Sequence, residues 1–183
     1  GDTVVYRTQT LAAQPHQLIM LHKPVGYLCS RASQGGVPTI YQLLSKKLHH
    51  LKPVGRLDKD SSGLILLTND GDFAHQMTHP SFHKRKRYLV TLDRPLQPLH
   101  RQMISDFGVQ LPDGPSQLTL ERQHDGDDHR WIVLMSEGRN RQIRRTFAAL
   151  GYTVRKLHRT DFGEYSLDNI KHGEFQERSL PPN

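Results

Sequence analysis

The feature that most constrains the fold is a charged loop joined directly to a short apolar run. The loop lies between Gly55 and Gly63, and the run that follows it is Leu64–Leu67. The run is typical of a strand packed in the core, and a loop beside such a strand is held in a defined position. Asp58 lies in this loop. On these residues alone it is either a turn-forming, solvated carboxylate or a functional group.

The remaining hydrophobic patterns predict an α+β fold, with a mixed, mostly antiparallel sheet and flanking helices. The predicted strands are Leu18–Leu21, Leu64–Leu67, Lys86–Leu92, Gln117–Arg122, Trp131–Met135 and Thr153–Arg159. The predicted helices are Pro38–Leu48, Gly71–Met77, Leu96–Phe107, and a last one that begins after Asn140 as N-cap and ends before Gly151. We expect residues 1–17 to form a leader, with a possible strand at Val4–Tyr6, and residues 18–183 to form one domain.

Composition favours a polyanionic partner and excludes several classes of protein. The 183 residues contain 25 Lys and Arg against 18 Asp and Glu, and phosphate contacts supply most non-specific affinity for nucleic acid. The single cysteine, Cys29, excludes an intrachain disulfide and a cysteine-based zinc site. No apolar run could span a bilayer and no signal peptide opens the chain, so we expect a cytoplasmic protein without a membrane partner.

Three stretches, in this order, resemble the core motifs of the pseudouridine synthases. They are Gly55–Asp58, Lys86–Tyr88 and Glu137–Arg145, and Lys23-Pro24 and Gly163–Asp168 extend the likeness to most of the chain. The sequence is most similar to the RsuA-type branch, which acts on ribosomal RNA. The resemblance implies an enzyme that isomerises a uridine of ribosomal RNA or a ribosomal precursor. It also implies a pseudouridine synthase catalytic fold that needs no cofactor and no metal; we expect a monomer.

The resemblance also implies roles for three residues. Asp58 matches the aspartate shared by all members, and it would either attack C1′ of the ribose or take the proton from C2′. Arg144 matches the basic partner of that aspartate, so we expect the two side chains to form an ion pair. Tyr88 matches a tyrosine that packs against the target base and assists removal of the C5 proton. On its residue type alone, Tyr88 could equally be an aromatic facing the core.

A further set of polar residues is expected to contact RNA. Arg56, beside Asp58, would fill the gap left when the target nucleotide is extruded from its stack. The others lie in the third motif and in the strand after it, and they are expected to contact phosphates and to position the RNA. They are Arg139, Asn140, Arg141, Gln142, Arg145, Arg155, Lys156 and Arg159. Each of them could instead be an ordinary surface group.

Other interpretations of the same residues are weaker. His75, His79 and His83 have a spacing that could gather a metal on a helix, but Pro80 would break that helix. Asp58 and Asp60 could be paired carboxylates of a glycoside hydrolase, but the chain is rich in arginine and has one Trp.

Two questions stay open at the level of the sequence. A catalytically inactive RNA-binding or ribosome-assembly module of the same fold is the main alternative, and such a module would have no need of Asp58, Tyr88 and Arg144 together. The ribosomal subunit that carries the target uridine is not determined. The opening residues, Gly1–Val5, resemble the last strand of an S4-type RNA-binding domain, so we expect this chain to be the catalytic part of a longer protein.

Overall fold

The computed structural model describes residues 15–182, which form an α+β fold built on one large sheet. The strands are β1 (Leu18–Lys23), β2 (Lys52–Val54), β3 (Ser62–Thr68), β4 (Lys86–Leu92), β5 (Val109–Leu111), β6 (Gly114–Ser116), β7 (Thr119–Arg122), β8 (Arg130–Met135), β9 (Val154–Phe162), β10 (Tyr165–Ser166) and β11 (Phe175–Arg178). The α-helices are α1 (Gly71–Thr78), α2 (Pro98–Gln102) and α3 (Gln142–Ala149). The possible strand at Val4–Tyr6 lies outside the described residues.

The sheet is mixed, as predicted. Its strand order is β11-β1-β3-β9-β4-β8-β7, with β2 paired to β3 and β10 paired to β9. The pair β3–β9 is parallel, and the other pairs in this sheet are antiparallel. The parallel register, Ser62 with His158 and Gly63 with Arg159, sets the end of the 55–61 loop against β9.

The apolar runs in β1 and β3 are continuous because both faces of these strands are buried. Ile19 and Ile65 belong to the main core, which also contains the apolar residues of α3. Met20 and Leu66 belong to a second cluster, in which α1 packs against the other face of the sheet. A sheet covered on both sides gives near-continuous hydrophobic strands instead of an alternating pattern.

The predicted helix at Pro38–Leu48 is wrong. The segment makes two short 3₁₀ turns, Ile40–Leu43 and Lys46–Leu48, with Leu44 in an extended conformation between them. Tertiary contacts override the helical spacing, because Ile40 and Leu48 are fully buried and the Tyr41 hydroxyl donates a hydrogen bond of 2.7 Å to the Leu51 carbonyl.

Two other helix predictions need adjustment. The Leu96–Phe107 segment is helical from Pro98, but it changes from α to π geometry at Met103. The predicted N-cap, Asn140, is wrong, because α3 begins at Gln142 and Arg141 precedes it in the left-handed conformation with φ +50°. Gly151 follows the helix with φ +90°, as a glycine at this position predicts.

Candidate active site

The three motif stretches meet around a cavity of about 780 Å³. The cavity is lined by the loop before β3, the end of α1, strands β4 and β9, and the loop between β8 and α3. Asp58 and Tyr88 both line it, together with Arg56, Arg139, Asn140, Arg141, Gln142 and Arg159. The residues singled out from separate parts of the sequence are therefore brought to one place.

The loop that carries Asp58 is held in place by a buried lysine, Lys23, which hydrogen-bonds to its backbone. Lys23 is fully buried, and its Nζ donates hydrogen bonds to the carbonyls of Pro24, Asp58 and Ser61 at 2.9, 3.0 and 2.6 Å. Burial lowers the pKa of Lys23 to about 8. Sequence reasoning noted the Lys-Pro pair but did not recognise Lys23 as the residue that fixes the loop.

Asp58 pairs with a different arginine from the one expected. Its Oδ2 lies 3.1 Å from NH1 of Arg141, and the same guanidinium binds both carboxylate oxygens of Asp60 at 3.1 Å. The left-handed backbone of Arg141, at the start of α3, is where the β8–α3 loop turns into the helix. The Asp58 side chain is 29% exposed, so it is partly open to the cavity.

The predicted direct ion pair between Asp58 and Arg144 is not formed. Arg144 donates instead to the backbone carbonyl of Asp60 at 2.9 Å and to the Ser61 hydroxyl at 3.2 Å, and its NH1 lies 3.6 Å from the Asp60 carboxylate. Arg144 is on α3, about one helical turn after Arg141, and from there it reaches the end of the 55–61 loop. Arg144 thus ties the end of the 55–61 loop to α3.

Asp60 is the acidic centre of this cluster. Its pKa is lowered chiefly by the hydrogen bonds from Arg141, with a further contribution from the positive charge of Arg144. Burial of Asp60 acts in the opposite direction and raises its pKa. Burial of Arg144 lowers the pKa of its guanidinium. The sequence pattern did not single out Asp60 as a partner for these arginines.

Tyr88 lies on the cavity side of β4 and is 8% exposed. It pairs across the sheet with Arg159, at a point where the register of β4 and β9 shifts. Lys86, two residues earlier, lies on the same face of β4 and also lines the cavity. Tyr88 thus belongs to the main core and also lines the cavity.

Two of the predicted RNA contacts are buried. Gln142 is 3% exposed, and its side-chain amide donates to the Ser116 hydroxyl at 3.0 Å. Arg159 is also 3% exposed, and its Nε donates to the Leu64 carbonyl at 2.9 Å. Both side chains line the cavity but are almost fully buried and hydrogen-bonded within the protein, so we do not propose a phosphate contact for either.

Other arginines of the third motif are held by Asp113, in the turn between β5 and β6. Arg145 makes a bidentate pair with the Asp113 carboxylate at 2.9 Å, and NH1 of Arg139 lies 3.2 Å from the same group. Arg56, Asn140 and Lys156 are exposed. Lys156 is on β9 and does not line the cavity.

The alternative sites gain no support from the structure. Helix α1 ends at Thr78, before Pro80, as expected from the proline. Within residues 15–182, no group of three or more His, Cys, Asp or Glu side chains is arranged to hold a metal ion. None of the helices in the same part of the chain is long and apolar enough to cross a membrane.

Comparison with known proteins identifies the family. Residues 17–149 match the family model described as RNA pseudouridylate synthase. The chain is 41% identical over 172 residues to the ribosomal small subunit pseudouridine synthase A of Pasteurella multocida, covering 89% of this chain and 70% of that protein. The corresponding protein of Haemophilus influenzae is 40% identical over 185 residues, covering 96% and 76%. The chain belongs to the RNA pseudouridine synthase family, and to its RsuA-type branch.

A solved structure supports the same assignment for the fold. A structure described as a pseudouridylate synthase superposes with a TM-score of 0.81 at 38% identity, covering 90% of this chain and 71% of that one. The protein is therefore an RNA pseudouridine synthase with the catalytic fold predicted from its sequence.

Proposed function

We propose that this pseudouridine synthase modifies a uridine in small-subunit ribosomal RNA, with Asp58 as the group that acts on the ribose. The observation that carries the role of Asp58 is its position, partly exposed in the cavity and 3.1 Å from a guanidinium of Arg141. The relatives at 40 and 41% identity are named for the small ribosomal subunit, which supports the choice of RNA.

The residue types suit the bond changes of the reaction. The C1′–N1 bond must break, the uracil must turn, and C5 must join C1′, with one proton leaving C5 and one arriving at N1. A carboxylate can attack C1′ or take the C2′ proton, and both routes are open to Asp58. Arg141 contacts the carboxylate at 3.1 Å and would orient it, whereas Arg144 and Lys23 hold the backbone of its loop.

Tyr88 and Arg56 complete the proposed site. Tyr88 would pack against the extruded uracil and assist removal of the C5 proton, and Arg56, exposed at the rim beside Asp58, would occupy the space that the nucleotide leaves. An RNA-binding module without activity would not need a carboxylate in this cavity. We therefore prefer the enzymatic function for residues 18–183, and the division between leader and catalytic domain stays a prediction.

Mapping of pseudouridines tests the choice of RNA. Small-subunit and large-subunit ribosomal RNA of the source organism, transcribed without modification, would each be incubated with the purified protein. We expect one new pseudouridine in the small-subunit RNA. Modification of the large-subunit RNA alone would overturn the proposed substrate but not the chemistry, and no modification of either RNA or of a ribosomal precursor would overturn both.

A further inference from the structure

Two basic side chains lie together in the cavity and neither serves the cluster around Asp58. Lys86 on β4 and Arg159 on β9 both line the cavity, and each lies close to the ring of Phe162. The Lys86 Nζ lies 5.5 Å from the centre of that ring, and the Arg159 guanidinium lies 4.8 Å from it. They are close enough for the charge of Arg159 to act on the pKa of Lys86.

Neither cation is matched by a carboxylate. Lys86 donates a hydrogen bond of 3.1 Å to the Glu137 carbonyl, and Arg159 donates one of 2.9 Å to the Leu64 carbonyl. NH2 of Arg159 is buried without a hydrogen-bond partner, and within residues 15–182 no carboxylate oxygen lies within 4.0 Å of either side chain. Lys86 and Arg159 thus hold two positive charges close together in the cavity wall, and Nη2 of Arg159 has no acceptor. Such an arrangement favours the binding of an anionic group beside them.

The position of Lys86 is fixed by its surroundings. Its Nζ lies 2.9 Å from where a Cβ on Gly138 would be, so a side chain at residue 138 would push the amine away from the β8–α3 loop. Burial lowers the pKa of Lys86 to about 8, and the nearby Arg159 adds to the effect. At neutral pH the amine is therefore still mostly protonated and can donate to an anion.

The proposed reaction creates an anion in this cavity. When the C1′–N1 bond breaks, both bonding electrons leave with N1, so the uracil carries a negative charge shared by N1, O2 and O4. Asp58 loses its own charge in the same step, by forming an ester to C1′ or by taking the C2′ proton. The negative charge thus moves from the Asp58 carboxylate, beside Arg141, to the uracil. When C5 bonds to C1′, the ester bond to Asp58 breaks, or in the other route Asp58 returns its proton to C2′. The negative charge thereby goes back to the carboxylate, after which C5 loses a proton and N1 gains one.

Resting on the proposed function, we propose that Lys86 is a catalytic residue that donates a hydrogen bond to a carbonyl oxygen of the uracil as this charge develops. Arg159, whose charge acts on Lys86, strengthens the positive potential without needing to reach the base. A donor placed where charge develops stabilises the transition state more than the bound substrate. Lys86 and Tyr88 lie on one face of β4 and would contact the same uracil. Lys86 would bind one of its carbonyl oxygens, and Tyr88 would pack against the plane of its ring.

The experiment compares Lys86→Met, Lys86→Arg and the parent with small-subunit ribosomal RNA, under single-turnover conditions and in a separate RNA titration. Lys47→Met is the control, because Lys47 is exposed and lies away from the cavity. We expect Lys86→Met to lower the single-turnover rate about 10²-fold and to leave the RNA dissociation constant within about threefold. Lys86→Arg should retain more of the rate, and Lys47→Met should match the parent.

Stability separates this role from a structural one. Replacing a desolvated, unpaired cation by an apolar side chain of similar length should leave the melting temperature of Lys86→Met unchanged or raise it. If that variant does not fold, Lys86→Gln replaces it, because glutamine can still donate to the Glu137 carbonyl. An inactive parent would overturn the proposed function and this inference with it.

Two outcomes with an active parent would overturn the inference alone. One is a Lys86→Met rate within about threefold of the parent rate. That decrease would be far smaller than the one caused by removing a transition-state donor. The other is an unchanged rate with weaker RNA binding and a log–log salt slope smaller in magnitude by about 0.7, which would assign Lys86 to a phosphate contact instead.

Discussion

At the scale of single residues, Gly63 is the point where the Asp58 loop enters the sheet. It has φ +118°, and a Cβ there would lie 2.1 Å from the Arg159 carbonyl oxygen, so the backbones of β3 and β9 pass each other too closely for any side chain. The glycine is needed for two independent reasons, the conformation and the close approach.

We therefore expect Gly63→Ala to lower the free energy of unfolding by about 3 kcal/mol or more, since strain and a backbone clash act together. Gly126→Ala is the matched control, because Gly126 also has positive φ, but a Cβ added there would meet no atom within 4 Å. That variant should lose only about 1 kcal/mol. Urea unfolding measures both, and equal losses would contradict the role of the close approach.

Asp60 makes the free energy of unfolding depend on pH in the acid range. Because Arg141 and Arg144 lower its pKa below the usual 3.8, the unfolded chain takes up a proton first as the pH falls. The stabilisation is therefore complete above about pH 3.8 and is lost as the pH falls through the lower pKa of the folded protein. Since the carboxylate is half exposed, we expect less than about 1 kcal/mol.

The test compares the parent with Asp60→Asn by urea unfolding between neutral pH and the acid limit of folding. The parent should be the more stable of the two at neutral pH, and the difference should shrink as Asp60 is protonated. A difference that stayed constant over this range would show that the ion pairs with Arg141 and Arg144 do not stabilise the fold.

At the scale of elements, the 55–61 loop is positioned by three elements at once. Lys23, at the end of β1, holds its carbonyls, Arg144 on α3 reaches its far end, and the Gly26 amide donates to the Lys59 carbonyl at 2.7 Å. Leu57, which is 6% exposed, anchors the middle of the loop in the main core. The rigid frame explains how one carboxylate can be held in a defined place on a loop.

We expect Lys23→Met to destabilise the protein by about 2 to 4 kcal/mol, because the carbonyls that Lys23 serves would lose their donor in a buried place. Lys52→Met, which removes an exposed lysine on β2, should change stability by less than about 0.5 kcal/mol. Amide hydrogen exchange at residues 58–61 should quicken in the first variant only. Unchanged exchange in that segment would contradict the role given to Lys23.

The sequence was informative where a single element determines the outcome. Strands β1, β3, β4, β7, β8 and β9, helix α1 and the end of α3 at Gly151 were predicted because period, proline and glycine act locally, whereas the short strands β2, β5, β6, β10 and β11 were not. The partner of Asp58 was not, because Arg141 and Arg144 are three residues apart on a short segment, and the left-handed turn at Arg141 decides which of them reaches the carboxylate. The roles of Lys23 and Asp113 depend on contacts across the fold, which no local pattern reveals.

At the scale of the whole molecule, only part of the excess of basic residues is free to contact RNA. Arg139, Arg141 and Arg145 are engaged by carboxylates, and Arg159 is buried. Of the predicted phosphate contacts, Arg56, Arg155 and Lys156 are exposed and have no carboxylate partner in the described chain. Part of the positive charge is thus used in ion pairs that build the site.

If those three residues contact phosphate, the log–log slope of RNA affinity against salt should be about −2, with about −0.7 for each contact to single-stranded RNA. Fluorescence titration at several salt concentrations measures it. A slope near −4 would show that the paired arginines also contact RNA, and a slope near zero would contradict an electrostatic mode of binding.

The role of Asp58 is tested most directly by pseudouridine formation in small-subunit ribosomal RNA with the Asp58→Asn variant. Asparagine keeps the shape but cannot act as a nucleophile or base, so we expect the rate to fall by 10²-fold or more, about the loss usual for a catalytic group, with RNA affinity nearly unchanged. The control is Asp125→Asn, in an exposed turn away from the cavity, which should match the parent. An Asp58→Asn rate within about tenfold of the parent would contradict the account.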